Sequence, residues 1–184
     1  MSELASKGQL RATFLRAALF TVPGVLLLGF LSGAVAGSAA GNPWFAELVK
    51  PAIYPLPIVF PIAWSVLYVM MGLGLAIVAT AFGAPQRKAA MLVFLLQLLL
   101  NLAWSPLFFA MHRISAALIL LGVLDVAVLA TTVLFWKVRR SAGLLLLPYL
   151  AWVLFATVLN WQFLTANPDA DGQEYSGAVS RMEI

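Results

Sequence analysis

Tryptophans, amides and prolines lie inside long apolar stretches of this chain, at the spacing of a helix. One such face in residues 97–108 carries Gln97, Asn101, Trp104 and Phe108. Positions three or four apart lie on one side of a helix, so these side chains are neighbours. The stretch 148–160 repeats the arrangement, with Trp152 and Asn160 within it. Two polar and aromatic stripes predict a flat, aromatic-walled binding site between helices.

The composition places the helices that carry these stripes in a membrane. Of the 184 residues, 63% are hydrophobic and 10% are charged, whereas soluble domains average about 45–50% apolar and about 25% charged residues. Apolar spans are predicted at approximately 14–39, 57–82, 89–110, 114–136 and 142–164. Each has the roughly 20 apolar residues that cross a bilayer core. We therefore predict an all-α integral membrane protein, a five-transmembrane-helix bundle.

Polar segments give the domain organisation. Residues 1–13 are a short N-terminal segment, and residues 14–164 are one five-helix membrane domain. Residues 165–184 are a polar tail that we expect to be mobile. The longest polar break, 41–57, is the first loop, and the break at 111–113 is so short that the third and fourth spans must be an antiparallel pair.

Basic residues predict the orientation of the bundle. One side of the five spans carries Lys7, Arg11, Arg16, Arg87, Lys88, Lys137, Arg139 and Arg140. The other side carries Lys50, Arg113 and Arg181. Because cytoplasmic loops are the richer in lysine and arginine, the N-terminus is predicted to be cytoplasmic and the C-terminus outside. The net charge of +4 is thus divided among helix ends, and nucleic acid is not expected as a partner.

The composition also narrows the chemistry. The chain has no cysteine and one histidine, His112, which excludes disulfides and thiolate metal sites and disfavours a multi-histidine or haem-ligating centre. No nucleophile–base pair, metal site or cofactor motif is recognisable in the sequence. Binding is therefore favoured over catalysis, and no catalytic residue, metal ligand or required cofactor is predicted.

Several polar and aromatic side chains have a structural interpretation beside a functional one. Asp125 places a carboxyl group in the middle of the fourth span. It is either a functional group, since burial in the membrane is costly, or a neutral acid bonded to a neighbouring helix. Trp44, Trp136 and Trp161 lie near span ends and are predicted to be interfacial belt residues. His112 is predicted to be a solvated helix end.

Glycines recur at every fourth position of the first span, at Gly29, Gly33 and Gly37. Such a strip allows another backbone to approach closely. The partner is either another helix of the same bundle or the same helix in a second copy of the chain.

Four different motifs follow one another along the chain. They are Trp44-Phe45-Ala-Glu47-Leu48-Val-Lys50-Pro51, Val59-Phe60-Pro61-Ile-Ala-Trp64-Ser65-Val-Leu67-Tyr68, Asn101-Leu-Ala-Trp104-Ser105-Pro106-Leu-Phe108-Phe109, and Pro148-Tyr149-Leu-Ala-Trp152 through Asn160. With these motifs, over about residues 20–164, the chain resembles the TspO/MBR family. The resemblance implies a five-helix bundle, often dimeric, which we expect in a bacterial cell (inner) membrane.

The resemblance also implies where a ligand binds. A pocket closed by the first loop would take porphyrin, haem and synthetic aromatic ligands, and in some members sterols. Its residues fall on Phe45, Pro55, Phe60, Trp64, Tyr68, Asn101, Trp104, Trp152 and Ala156. Aromatic rings supply broad, rigid walls, and the amide supplies a donor and an acceptor in an apolar setting. Residues 50–56 also fit a reversed sterol-recognition pattern.

The chain departs from the family pattern in the first loop. Phe45 stands where the family has tyrosine, Ile53 where it has tryptophan, and Pro55-Leu56 where it has two prolines. These changes remove a phenol and an indole from the mouth of the implied pocket.

Three functions follow from the resemblance. The first is a sensory protein that binds tetrapyrroles. The second is a transporter of porphyrin or other lipophiles, although the sequence has no inverted repeat or pair of broken helices. The third is a light-dependent enzyme that degrades porphyrin, for which only the redox-active indoles would be available. The expected partners are a tetrapyrrole or other lipophilic small molecule, a sterol, the lipid bilayer and a second copy of the chain in a homodimer.

Overall fold

The computed structural model describes residues 6–38 and 41–173. Within them the chain forms the α-helices α1 (Lys7–Val35), α2 (Pro43–Glu47), α3 (Val59–Ala79), α4 (Arg87–Ser105), α5 (Ile114–Val138) and α6 (Arg140–Ala166). A π-helical turn, Pro106–Ala110, continues α4, and a 3-10 turn, Pro168–Ala170, follows α6. The first loop, residues 41–58, contains α2.

The predicted spans are confirmed as helices α1, α3, α4 with its π-helical turn, α5 and α6, each long and apolar enough to cross a membrane. Helices form there because a backbone in hydrocarbon must satisfy its own hydrogen bonds. The first helix begins at Lys7, earlier than position 14, because Ser6 and Gln9 form a capping box that supports an additional polar turn.

The five long helices form a closed ring in the order α1, α3, α6, α5, α4. The neighbours in that order pack against each other, and α4 returns to α1. Two hydroxyl groups bond α1 to the bundle: Thr21 donates to the Gly72 carbonyl at 2.8 Å and Ser32 to the Leu102 carbonyl at 2.6 Å. Hydroxyl bonds of this kind hold helices together in lipid, where burial of apolar surface does not.

Buried side chains form two clusters. The central cluster is completely enclosed at Met71, Phe94, Phe135 and Leu146. The loop-end cluster lies where the first loop covers the bundle and includes Trp44, Phe108, Ile114 and Phe163. Trp104 packs against both clusters.

Among the described residues, the glycine strip of α1 packs against a side chain of the bundle and not against a second backbone. A Cβ atom added at Gly29 would lie 2.1 Å from the Tyr68 ring, so this glycine makes room for a side chain. At Gly33 an added Cβ would meet only the Ser38 hydroxyl of its own segment among the described residues. Two backbones approach closely at Gly72 of α3, where an added Cβ would lie 2.6 Å from Val22 Cα, and at Gly143 of α6, where it would lie 2.8 Å from Trp136 Cα.

The predicted tail begins at the bundle surface. Residues 167–173 contact the first loop and the turn before α5. Residues 174–184, with the basic Arg181, lie outside the described part of the chain.

Candidate ligand-binding site

Helices α3 and α6 present an aromatic wall to each other. Trp64 stacks on Tyr68, one turn along α3, with ring centroids 5.1 Å apart. Trp152 of α6 meets the edge of Trp64 at 6.4 Å and 82°, and it meets Phe60 at 6.0 Å and 76°. Edge-to-face contacts of this kind satisfy the quadrupoles of the rings. Ala156, one turn after Trp152, packs against the same central cluster.

The amides of α4 are bonded across the bundle. The Tyr68 hydroxyl donates to Asn101 Oδ1 at 3.2 Å, and the Tyr149 hydroxyl donates to Gln97 Oε1 at 2.8 Å. Asn101 is 6% exposed and Gln97 is fully buried. Both amides therefore join helices, and Asn101 does so with a tyrosine of the predicted site.

Trp104 is oriented by Asn160, which was not among the predicted site residues. Trp104 Nε1 donates to Asn160 Oδ1 at 3.2 Å, and Asn160 Nδ2 donates to the Ile114 carbonyl at 3.0 Å. The Trp104 ring stacks on Phe108, with the ring centroids 5.2 Å apart and an angle of 24° between the planes. Pro106 lacks an N–H group for the helical ladder, and the π-helical turn that it begins carries Phe108 into the loop-end cluster.

The first loop covers this end of the bundle with aromatic rings. Asn42 caps α2 by accepting from the Phe45 N–H at 2.9 Å, and Pro43 starts the helix with a preset backbone angle. Phe45 then meets Phe109 at 5.3 Å, Phe163 at 5.5 Å and Tyr54 at 6.0 Å.

Lys50 fixes the internal shape of the first loop. Its ammonium donates to the carbonyls of Phe45, Ala46 and Leu48 and lies 4.2 Å from the centre of the Phe45 ring. Partial burial lowers the pKa of the Lys50 ammonium. Because its donors face backbone oxygens, this cation orients Phe45 and is not displayed toward a ligand carboxylate.

Trp44 and His112 differ from their predictions. Trp136 and Trp161 are 42% and 54% exposed, as belt residues would be, but Trp44 is 4% exposed. Its indole stacks on the His112 ring at 4.5 Å and 22°. His112 is therefore half-buried, not a solvated helix end, and it adopts a left-handed backbone with φ 54°.

The predicted site residues are connected through rings. A continuous series of contacts runs through Phe45, Tyr54, Phe60, Trp152, Trp64 and Tyr68. Sequence reasoning missed Tyr54 and Phe163, whose rings meet at 5.7 Å. Phe163 follows Asn160 by three positions, so the helical spacing of α6 could have found it. Trp104 stacks on Phe108, and Phe108 meets Phe45, so the Trp104 ring joins this series through the loop-end cluster.

A groove of about 590 Å³ opens between α3 and α6 on the outer surface of the bundle. It is lined by Pro55, Ala63, Val66, Leu67, Pro148, Ala151, Trp152 and Phe155. The groove stays open because Ala63 and Ala151 have short side chains and the larger side chains around them do not fill the space. Pro55 and Trp152 thus belong both to the groove and to the predicted site.

Asp125 joins α5 to α6. Its Oδ2 accepts from the Thr157 hydroxyl at 2.8 Å, while Oδ1 is buried and has no hydrogen-bond partner among the described residues. This contact agrees with the structural interpretation of Asp125, in which its carboxyl group is bonded to a neighbouring helix.

Comparison with known proteins gives consistent matches. The TspO/MBR family model matches residues 21–165. The chain is 38% identical to tryptophan-rich protein TspO of Chlorobaculum tepidum, over 68% of this chain and 80% of that protein. It is 36% identical to the tryptophan-rich sensory protein of Cereibacter sphaeroides, over 77% and 91%. With the human translocator protein the identity is 38%, over 73% and 80%.

Proposed function

Since this chain belongs to the TspO/MBR family, we propose that it binds a tetrapyrrole, porphyrin or haem, between α3, α4 and α6 under the first loop. Its role is that of a membrane sensory protein. Relatives carry the names tryptophan-rich sensory protein and translocator protein, which support a sensory or transport role at a membrane.

The series of aromatic contacts from Phe45 to Tyr68 carries this proposal. It runs from the first loop into the bundle, and Trp64 and Trp152 within it are half-buried. A tetrapyrrole is a broad, flat, apolar ring, and indole and phenol rings that meet edge-to-face can open to stack on it. Phe45 and Tyr54 form the movable side of the series because they belong to the first loop.

The other half of the bundle favours sensing over transport. Phe94 and Phe135 stack at 5.6 Å and 17°, and Met71 and Leu146 are fully buried beside them. A ring system that crossed the bundle would have to displace these close-packed side chains. Ligand binding near the first loop, followed by a change in the loop, requires no such rearrangement.

The protein is integral to a membrane, and we infer its orientation from the basic residues. The N-terminal part of α1, the first turn of α4 and the junction of α5 with α6 carry the larger number of lysines and arginines. By the positive-inside rule these ends would face the cytoplasm, and the first loop would face outside. A ligand would then reach the first loop from the outer side of the membrane.

Titration of the purified protein with protoporphyrin IX and with haem tests the proposal. Tryptophan fluorescence should be quenched in a saturable manner, and the porphyrin absorbance should shift with the same midpoint. Absence of saturable quenching would reject tetrapyrrole binding. Loss of porphyrin absorbance that depends on both light and protein would instead indicate degradation, and net uptake into proteoliposomes would indicate transport.

A further inference from the structure

Asn167 joins the end of α6 to the first loop through both the oxygen and the nitrogen of its side-chain amide. The Val49 N–H donates to Asn167 Oδ1 at 2.7 Å, and Asn167 Nδ2 donates to the Val49 carbonyl at 3.0 Å. Nδ2 also donates to the Phe163 carbonyl of α6 at 2.9 Å. One side chain therefore bonds both backbone polar groups of Val49, 118 positions away in the sequence. The same side chain is also bonded to α6.

The residues on either side of this contact belong to the covering of the proposed site. Leu48, next to Val49, is buried in the loop-end cluster. Phe163, one turn before Asn167, meets Phe45 at 5.5 Å and Tyr54 at 5.7 Å. The amide pair thus lies beside the rings that the first loop places over α6.

The chain after Asn167 makes a second set of contacts on the same surface. Asp171 accepts from the Ser115 N–H at 3.1 Å, and the Gly172 N–H donates to the His112 carbonyl at 2.8 Å. His112 Nδ1 lies 3.0 Å from the Gln173 carbonyl. We call residues 167–173 the tail segment. Because His112 stacks on Trp44, the tail segment also supports the first loop from this side.

Some hydrogen bonds of the first loop join two parts of the loop, and others join the loop to the helical bundle. Those of Lys50 lie within the loop and would move with it. Asn42 makes a long bond of 3.4 Å to the Phe109 carbonyl, and the Asn167 pair adds two bonds of 2.7 and 3.0 Å between Val49 of the loop and the end of α6. Opening the loop for a flat ligand must therefore break the Asn167 pair.

We propose that Asn167 is a positioning residue that holds the first loop closed and sets how fast a ligand enters and leaves the site. This inference rests on the proposed function. In this proposal the Asn167 pair forms both with and without a ligand beneath the loop, so loosening it favours opening in both states. Association and dissociation rates should then rise together, while the equilibrium Kd changes little.

Asn167→Ala is the direct test, in the full chain reconstituted in lipid nanodiscs. Stopped-flow fluorescence with protoporphyrin IX should give association and dissociation rates about five to ten times those of wild type, the equivalent of one or two lost hydrogen bonds. Thr165→Ala is the matched control, because its hydroxyl bond to the Gln162 carbonyl stays within the same helix end. The control should keep wild-type rates.

Hydrogen exchange of the first loop supplies a measurement that needs no ligand. The Val49 amide and its neighbours should exchange faster in Asn167→Ala and not in Thr165→Ala. If Asn167→Ala does not fold, Asn167→Asp replaces it, since the carboxylate cannot donate to the Val49 carbonyl.

The outcomes separate this inference from the proposed function. Unchanged exchange at Val49 overturns the inference, whatever binds. Faster exchange with unchanged rates also overturns it, because the loop then does not control access. A rise in Kd with an unchanged association rate would make Asn167 a ligand contact and reject the positioning role. If protoporphyrin IX does not bind wild type, the proposed function has failed, and the exchange experiment still decides whether Asn167 holds the loop.

Discussion

Trp152 is the side chain on which the proposed site depends most. It meets Phe60 and Trp64 by their edges and also lines the groove between α3 and α6. We predict that Trp152→Ala weakens protoporphyrin IX binding by about 1–3 kcal/mol, the loss expected for one aromatic stack. Trp152→Phe should restore part of it. The measurement is the dissociation constant of folded variants from fluorescence quenching and absorbance.

Trp136 provides the control for this prediction. It is 42% exposed on α5 and belongs to neither buried cluster. Trp136→Ala should therefore leave the affinity within about twofold, less than half of one tenfold step of 1.4 kcal/mol. Equal weakening by the two alanine variants would move the site away from Trp152.

We predict that Asp125 has a structural role, in which its bond to Thr157 joins α5 to α6. In Asp125→Asn the amide oxygen can still accept from the Thr157 hydroxyl, so folding and porphyrin affinity should change by less than about 1 kcal/mol. Thermal unfolding and the binding titration measure this. Asp125→Leu should also be tolerated, because Thr157 keeps its second acceptor, the Val153 carbonyl at 3.0 Å. Loss of binding or of a pH response in Asp125→Asn would instead assign a functional, ionised carboxyl group.

At the scale of elements, the contact between α1 and α3 depends on Gly72. An added Cβ would lie 2.6 Å from the Val22 backbone, so Gly72→Leu must separate the two helices. We predict a loss of stability of about 1–3 kcal/mol, as for other overpacked sites, seen as a lower melting temperature.

The matched variant is Gly33→Leu in α1. Here the nearest described atom is the flexible hydroxyl of Ser38, so the melting temperature should stay close to wild type. A larger loss at Gly33 than at Gly72 would show that α1 uses its glycine strip after all, against a second copy of the chain or a lipid.

At the scale of the whole molecule, the basic residues predict which ends face the cytoplasm. The chain contains no cysteine, so single cysteines report their own side of the membrane. In intact cells, a membrane-impermeant maleimide should label Gln173→Cys, in the tail segment, and should not label Lys88→Cys, in the first turn of α4. Labelling of Lys88→Cys alone would reverse the predicted orientation.

The membrane class, the five helices and their approximate ends were available from the sequence alone. Lipid leaves a spanning backbone no alternative to the helix, so about 20 apolar residues between polar breaks are sufficient evidence. The motifs at Trp64, Trp104 and Trp152 likewise identified the family to which the chain belongs. Helical spacing also placed Trp64 and Tyr68 on one face, where they stack.

The tertiary structure decided which side chains and backbone groups lie against these positions. Spacing along one helix identifies a face, but the partner of that face depends on how helices distant in sequence are arranged. For this reason the sequence could not show that Asn101 bonds Tyr68, or that Gly72 and not Gly33 meets a backbone. Trp44 has the position of a belt residue and is buried because residues distant in sequence, His112 and Phe108 among them, lie against it. The pairing of Asn167 with Val49 has no sequence signal, since its two partners are backbone groups, which every residue of the loop also carries.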